Sequence, residues 1–244
     1  MEGTAIVTGA GSGLGRHVAL GLARAGFGVV VAEVDPTAAA ECADRIEALG
    51  RPARVVAADV RERAGLDRIV AAADELGGPR VLVNNAGGWT PHRQYPSATP
   101  EEWTATIALN LTAPMLLSQL VLELMRARGG GAIVNVASSA GVGLGAYGSP
   151  EYGAAKAGLI RFTTSCAGLV DTHGVRMMAV VPGWIGLDRA HAEWERLDPA
   201  ERARLGPLIP PGEVVAAILD LVRDGAAGAV VEMLRPAGGQ RRSE

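Results

Sequence analysis

Apolar residues recur along the chain in short continuous runs, separated by longer stretches in which they return every three or four positions. The runs predict seven strands, over 4–8, 29–34, 53–58, 80–84, 132–137, 175–181 and 229–233, and the periodic stretches predict helices near 14–26, 37–49, 62–76, 101–127, 151–171 and 213–223. Strand alternating with helix is the signature of a parallel sheet built from crossover units. Runs such as Val29-Val30-Val31-Ala32 and Val81-Leu82-Val83 are apolar at both alternating sets of positions, so helices are expected on both faces. No internal repeat and no linker rich in Pro, Gly or Ser divides the chain, which reads as one domain, 1–244. Segment 184–212 breaks the alternation with charged, Trp-containing sequence and reads as a small lid over a site. Within it, Asp198-Pro199-Ala200-Glu201 offers an N-cap, a proline at the first helical position and an acid at the third, so a short helix is expected there.

Composition narrows the picture. With 244 residues, 48% hydrophobic and 20% charged, the chain is neither disordered nor fibrous. A net charge of -3 supplies no field for a polyanion, so neither nucleic acid nor an anionic membrane is an expected partner. Cys42 and Cys166 lie far apart, and His17, His92, His173 and His191 show no metal-ligand spacing. A reducing compartment and no metal are expected, with His92 and His191 solvated. The N-terminus carries no leader pattern and no run approaches the ~18 apolar residues of a membrane span, so a cytoplasmic location is expected. One count stands out. The 23 basic residues comprise 22 arginines and a single lysine, Lys156. Codon bias accounts for the arginines and leaves the lysine to be explained by chemistry.

Between the first strand and first helix lies Thr8-Gly9-Ala10-Gly11-Ser12-Gly13-Leu14-Gly15. A glycine-rich turn at that place lets main chain approach a pyrophosphate while a helix N-terminus turns N–H groups toward its charge. The spacing departs from GxGxxG, because Leu14 and Arg16 fall where its third glycine would be. The second strand ends in Glu33-Val34-Asp35, about 20 residues beyond the glycines, where a carboxylate can accept both hydroxyls of an adenosine ribose and repel a 2′-phosphate. No Arg or Lys stands between Val29 and Glu41 to compensate. These residues predict a doubly wound, Rossmann-type sheet that prefers NAD to NADP.

Two further stretches are Asn84-Asn85-Ala86-Gly87 after the fourth strand and Tyr152-Gly153-Ala154-Ala155-Lys156 in a helical unit, with Ser138 at the end of the fifth strand. Ser149, Pro150 and Glu151 form an expected N-cap and first turn, which places Tyr152 and Lys156 four apart on one helix face. A phenol titrates near pH 10, and bringing it near neutrality takes about 3 to 4 kcal/mol, which a nearby ammonium and a positive nicotinamide can supply together. Arginine, fixed in charge and forked in shape, is a poor replacement for Lys156 there. Ser138 can hold a substrate oxygen and stabilise charge developing on it. Ser139, one residue away, offers the same chemistry.

Taken together, these four motifs, in this order and at these spacings, resemble the single-domain short-chain dehydrogenase/reductase family over nearly the whole chain. The resemblance implies a catalytic set of Asn110, Ser138, Tyr152 and Lys156, with Asn110 in a proton relay through water to the lysine. It also implies cofactor contacts from Gly9, Ser12, Gly13, Leu14, Gly15, Glu33, Val34, Asp59, Val60, Asn85, Ala86, Gly87, Tyr152, Lys156, Pro182, Gly183 and Ile185. Two positions depart from the family pattern: Leu187 stands where a threonine often bonds the nicotinamide carboxamide, and Met178 replaces the usual asparagine before that turn. Trp89, Tyr95, Leu144, Tyr147, Trp184, His191 and Trp194 fall in loops expected at the carboxyl ends of the strands, where a doubly wound sheet binds ligands. An apolar or ring-containing secondary alcohol, or its ketone, is the expected substrate. An NADPH-dependent 3-oxoacyl-thioester reductase and a non-catalytic NAD-binding scaffold are the alternatives. Apolar positions in excess on 101–127 and 151–171 predict a homo-oligomer, a tetramer by the family's habit.

Overall fold

The computed structural model describes residues 3–89, 93–143 and 147–234, with the side chain of Arg204 excepted. Seven strands form one parallel sheet: β1 (Thr4–Thr8), β2 (Gly28–Glu33), β3 (Ala53–Ala57), β4 (Pro79–Asn84), β5 (Gly131–Val136), β6 (Val175–Pro182) and β7 (Val230–Met233). Their order is β3-β2-β1-β4-β5-β6-β7. β1 pairs with both β2 and β4, so the chain reverses its direction of travel there. The carboxyl ends of β1 and β4, at Thr8 and Asn84, therefore flank a topological switch point, where a sheet of this kind opens a crevice.

Alternating strand residues build two cores. On one face Ala5, Val7, Val29, Val31, Val134 and Val180 pack beneath α1 (Gly13–Arg24), α2 (Pro36–Glu47) and, further along the chain, the helix Pro211–Asp224. On the other, Ile6, Val30, Leu82 and Ile133 pack beneath α3 (Arg63–Glu75) and the helix Ala113–Ala127. Both faces are covered, as the continuous apolar runs require.

Two helices depart from the sequence expectation. The stretch expected as one helix over 101–127 comprises α4 (Pro100–Ile107), a π-helical turn at Ala108–Thr112 and α5 (Ala113–Ala127). The stretch expected over 151–171 is α6 (Pro150–Ser165), a turn, and α7 (Leu169–His173), closed by Gly174 in the left-handed region at φ 65°. By length and composition alone, Pro100–Ala127 is long and apolar enough to cross a membrane, with a mean hydropathy of 1.6 over an 18-residue window. Its buried side, with Ala113, Leu117, Val121 and Met125, lies in the sheet's second core.

Segment 184–212 folds as α8 (Asp188–Arg196) and α9 (Pro199–Leu205) before α10 (Pro211–Asp224). The Asp198/Glu201 capping box forms as expected. The base of the segment is closed by a short parallel pairing, with Gly186 N–H donating to Ile209 O at 2.8 Å and Ile209 N–H to Trp184 O at 2.8 Å.

Candidate active site

The glycine turn is shaped by contacts that only hydrogen side chains permit. Gly9 and Gly13 lie at φ 63° and 49°. A Cβ on Gly15 would stand 1.9 Å from Gly9 O, and one on Gly11 would stand 2.6 Å from Glu33 Cγ. α1 then starts at Gly13, and Ser12 at its N-cap makes no side-chain cap bond. The result is bare main chain facing an open helix N-terminus, which fits a pyrophosphate. Leu14 is buried behind the turn, and Leu187, at the start of α8, approaches Gly13 from the lid side.

Glu33 ends β2 against this turn. Its Oε2 accepts Gly11 N–H at 2.9 Å, and its Oε1 accepts Val34 N–H at 2.8 Å and Asp35 N–H at 3.3 Å. Such a carboxylate is rigid and fits a ribose diol. Asp35 is committed elsewhere, capping α2 through Thr37 and Ala38 N–H. Val34 is 67% exposed and lies just past the strand. The expectation that no cation stands near is corrected. Arg16 Nε donates to Gly11 O at 2.7 Å and pairs with Glu41 at 3.5 Å, so Glu33 and Arg16 grip opposite ends of the Gly11 residue. Folding brings Arg16 to a place that sequence distance hid.

After β3, Asp59 is held by Arg61, whose hydrogen bonds keep its carboxyl below the usual range, and Val60 is buried in the second core. Across the switch point, Thr8 organises the 84–87 segment. Its Oγ1 accepts Asn85 N–H at 3.0 Å and Ala86 N–H at 2.9 Å, while Asn85 Nδ2 donates back to Thr8 O at 2.9 Å. Thr8 was absent from the predicted site residues, although the motif's leading threonine marks it. Behind the segment, Asn84 Nδ2 bonds Asn135 Oδ1 at 2.8 Å, and Asn135 Nδ2 bonds Thr163 Oγ1 at 2.9 Å, locking β4, β5 and α6 together.

Gly87 is where the predicted catalytic residues meet. A Cβ there would lie 2.7 Å from Asn110 Oδ1 and 3.3 Å from Lys156 Nζ. Asn110, fully buried in the π-turn, accepts Gly88 N–H at 2.9 Å and donates to Gly88 O at 3.1 Å and Thr106 O at 2.9 Å. The irregular turn thus aims one amide at the strand-end segment, a common use of π-turns.

Ser138 follows β5, its hydroxyl accepts Ala140 N–H at 3.2 Å, and it lies near enough to the Tyr152 phenol to pull the phenol's pKa down. Ser139 opens the adjoining short turn. Lys156 lies one helical turn beyond Tyr152, with Nζ 5.7 Å from the ring centroid, and donates to Val136 O at 2.8 Å. It is 4% exposed, and burial pushes its pKa down to about 8. Burial raises the pKa of Tyr152, Ser138 opposes this, and neighbouring Tyr147 adds to the rise. In the chain alone burial therefore outweighs the lowering influence on the phenol, and the expected depression, which counts the positive nicotinamide together with Lys156, concerns the cofactor-bound site. Ser149 departs from expectation: it occupies the N-cap of α6 but makes no cap bond, and its Oγ is buried without a partner.

Pro182 closes β6, Gly183 N–H donates to Met233 O at 3.0 Å, and Ile185 pairs with Ile209. Met178 fills the core under α10, where an amide would be unsupported. Of the substrate candidates, Tyr147 stacks on Tyr152 with centroids 6.2 Å apart, and Trp184 meets Trp194 edge to face at 5.9 Å. Trp89 and Tyr95 are exposed, and His191 is exposed beside Gly186. Leu144 and His92 lie outside the described residues. Among the described residues, no group of three or more His, Cys, Asp or Glu is placed to hold a metal ion.

The model of the short chain dehydrogenases matches residues 3–197. A hydroxyacyl-CoA dehydrogenase of Mycobacterium tuberculosis is 39% identical over 193 residues, 73% of this chain and 60% of its own length. A 3-oxoacyl-acyl-carrier-protein reductase of Vibrio cholerae is 35% identical over 98% of both chains. A cis-4-hydroxycyclohexanecarboxylate dehydrogenase of Sinomonas cyclohexanicum is 36% identical over 98% of this chain and 96% of its own. Among solved structures, a 7α-hydroxysteroid dehydrogenase with NADH and 7-oxo glycochenodeoxycholic acid superposes with a TM-score of 0.86, 27% identity and coverage of 99% and 95%. An L-sorbose reductase of Gluconobacter frateurii with NADPH and L-sorbose gives 0.87, 26% and 98% of each chain. The chain belongs to the short-chain dehydrogenase family, a class of oxidoreductases that act on alcohols and ketones with a nicotinamide cofactor.

Proposed function

We propose that this chain interconverts a secondary alcohol and its ketone with NAD, using Tyr152 as general acid and base. The observation that carries the reading is the convergence of Ser138, Tyr152 and Lys156, with the serine hydroxyl near enough to the phenol to favour its ionised form and the ammonium 5.7 Å from the ring centre. In oxidation, Tyr152 acts as the phenolate, its own proton having left along the Lys156 path, and takes the substrate's hydroxyl proton while Ser138 donates a hydrogen bond to the oxygen left behind. Lys156, with its pKa at about 8, can pass a proton near neutrality, and Asn110, in reach of the same Gly87 backbone, is positioned to extend that path. When bound, the oxidised nicotinamide supplies the hydride acceptor and a positive charge beside the phenol. Gly9, Ser12, Gly13 and Gly15 would hold its pyrophosphate, Glu33 the adenosine ribose, and Asn85, Ala86, Gly87, Pro182, Gly183 and Ile185 the far end.

The substrate reading is a ring-containing alcohol. It is supported by the Tyr147 ring beside Tyr152 and by the cyclic alcohol named for the Sinomonas relative. A second reading, an NADPH-dependent 3-oxoacyl-thioester reductase, is favoured by the Vibrio relative and by Arg16 beside the glycine turn. The fixed Glu33 carboxylate weighs against it. Self-association as a tetramer is supported by Trp103 and Met115, apolar and exposed on α4 and α5.

The test is a panel of cyclic and open-chain secondary alcohols and of 3-oxoacyl thioesters, followed by cofactor absorbance with NAD(H) and NADP(H). Oxidation of a cyclic alcohol with NAD is the expected result. Reduction of thioesters with NADPH alone would establish the second reading, and binding of NAD with no turnover would mark a scaffold.

A further inference from the structure

Two charged side chains are buried among the described residues, Lys156 at 4% and Glu151 at 7% exposure. Both lie on α6, on either side of Tyr152. Lys156 has a place in the proton chemistry above, whereas Glu151 has none. A buried carboxylate is retained only where something compensates its lost hydration. Two things do so here. Glu151 sits in the first turn of α6, where helix N–H groups favour negative charge, and its Oε2 accepts the backbone N–H of Tyr95 at 3.4 Å.

The segment that reaches Glu151 is a tight turn. Ser97 and Ala98 N–H donate to Gln94 O at 2.8 and 2.9 Å. Its downstream end runs into the Thr99/Glu102 capping box of α4, and Arg93 at its upstream end pairs with Glu102 at 3.4 Å. Both ends of the turn are thus fixed to α4, and Tyr95 N–H ties its middle to the catalytic helix.

We propose that Glu151 is a positioning residue whose carboxylate latches the 93–98 turn onto the helix bearing Tyr152, making that turn a wall of the substrate site. The role as a wall rests on the reading of Tyr152 as the reacting group; the latch itself does not. The test is hydrogen exchange at the Tyr95 amide in the wild-type protein, Glu151→Gln and Glu151→Ala, with NADH affinity and thermal melting measured alongside. In the Ala variant, exchange at Tyr95 is expected to accelerate about tenfold or more, because the local opening loses its restraint. The Gln variant keeps an acceptor oxygen and is expected to restore protection to within about threefold of wild type. NADH affinity and melting temperature are expected to hold in both. With an alcohol that the panel identifies, KM rises in the Ala variant while kcat is kept.

Equal exchange at Tyr95 in all three proteins overturns the latch. So does a Gln variant that loses NADH affinity and melting temperature together, which would mark a merely structural carboxylate. The exchange readout needs no turnover, so a failed alcohol panel and a failed latch are distinguishable.

Discussion

Replacing Lys156 by methionine should make the protein more stable while removing its activity. Burial lowers the lysine pKa from 10.5 to about 8. At about 1.4 kcal/mol per tenfold, this means that holding the ammonium in the folded chain costs on the order of 3 kcal/mol relative to the unfolded one. Methionine removes that penalty, but it also removes the hydrogen bond to Val136 O. Leaving that carbonyl unpaired costs about 1 to 2 kcal/mol, so the expected net gain is about 1 to 2 kcal/mol near neutral pH.

The sign depends on pH. Below a pH of about 8 the lysine is protonated in both states and the full penalty is present. Between about 8 and 10.5 the unfolded chain binds more protons than the folded one, so wild-type stability gains relative to the variant as pH rises. Urea unfolding of both proteins at about pH 7 and about pH 10 should show their difference moving by about 2 to 3 kcal/mol in favour of wild type. A difference that stays constant over that range would refute the reasoning. The composition offers a direct check, because a chain with one lysine gives one lysine side-chain resonance. Its titration midpoint should fall near 8, and a midpoint near the ordinary 10.5 would be equally damaging.

Two further substitutions test the cofactor end. Gly15→Ala would place a Cβ 1.9 Å from Gly9 O, a main-chain clash with no flexible partner to yield. NADH affinity should fall by about tenfold or more and thermal stability by about 1 to 3 kcal/mol; unchanged affinity in a fluorescence titration would contradict the assignment of this turn. Glu33→Gln keeps one acceptor oxygen, loses the other to an NH2 donor and removes the charge, so the NAD-to-NADP affinity ratio should shift toward NADP by about tenfold, with Arg16 already in place beside Gly11. A ratio that does not move would show that Glu33 does not discriminate.

The five inner strands were legible because they are buried on both faces, so continuous apolar runs marked them, whereas the edge strands β3 and β7 are partly exposed and were marked by their place in the alternation. The proposed catalytic set was legible as a group because Tyr152 and Lys156 share one helix and Ser138 follows a strand. What stayed hidden depends on contacts between distant residues. The π-turn around Asn110 is anchored across 22 residues by Gly88, and no local signal announces it. Arg16 joins Glu33 only through the Gly11 residue. Ser149-Pro150-Glu151 reads as a capped helix start, yet at ψ 87° the serine makes no cap bond to the helix, and the neighbouring acid reaches the 93–98 turn instead. The burial of Tyr152 and Lys156 was hidden for a related reason: sequence shows which charge is near, and only packing shows how deeply both groups are buried.

Tyr152→Phe removes one oxygen and keeps the ring that stacks with Tyr147. Single-turnover oxidation of an alcohol that the wild-type protein accepts, measured with NAD binding on the same variant, reads proton transfer apart from cofactor affinity. Bound NAD with turnover reduced by about a thousandfold or more is the expected result if the phenol is the acid and base. Bound NAD with turnover near the wild-type rate would place the proton transfer on another group.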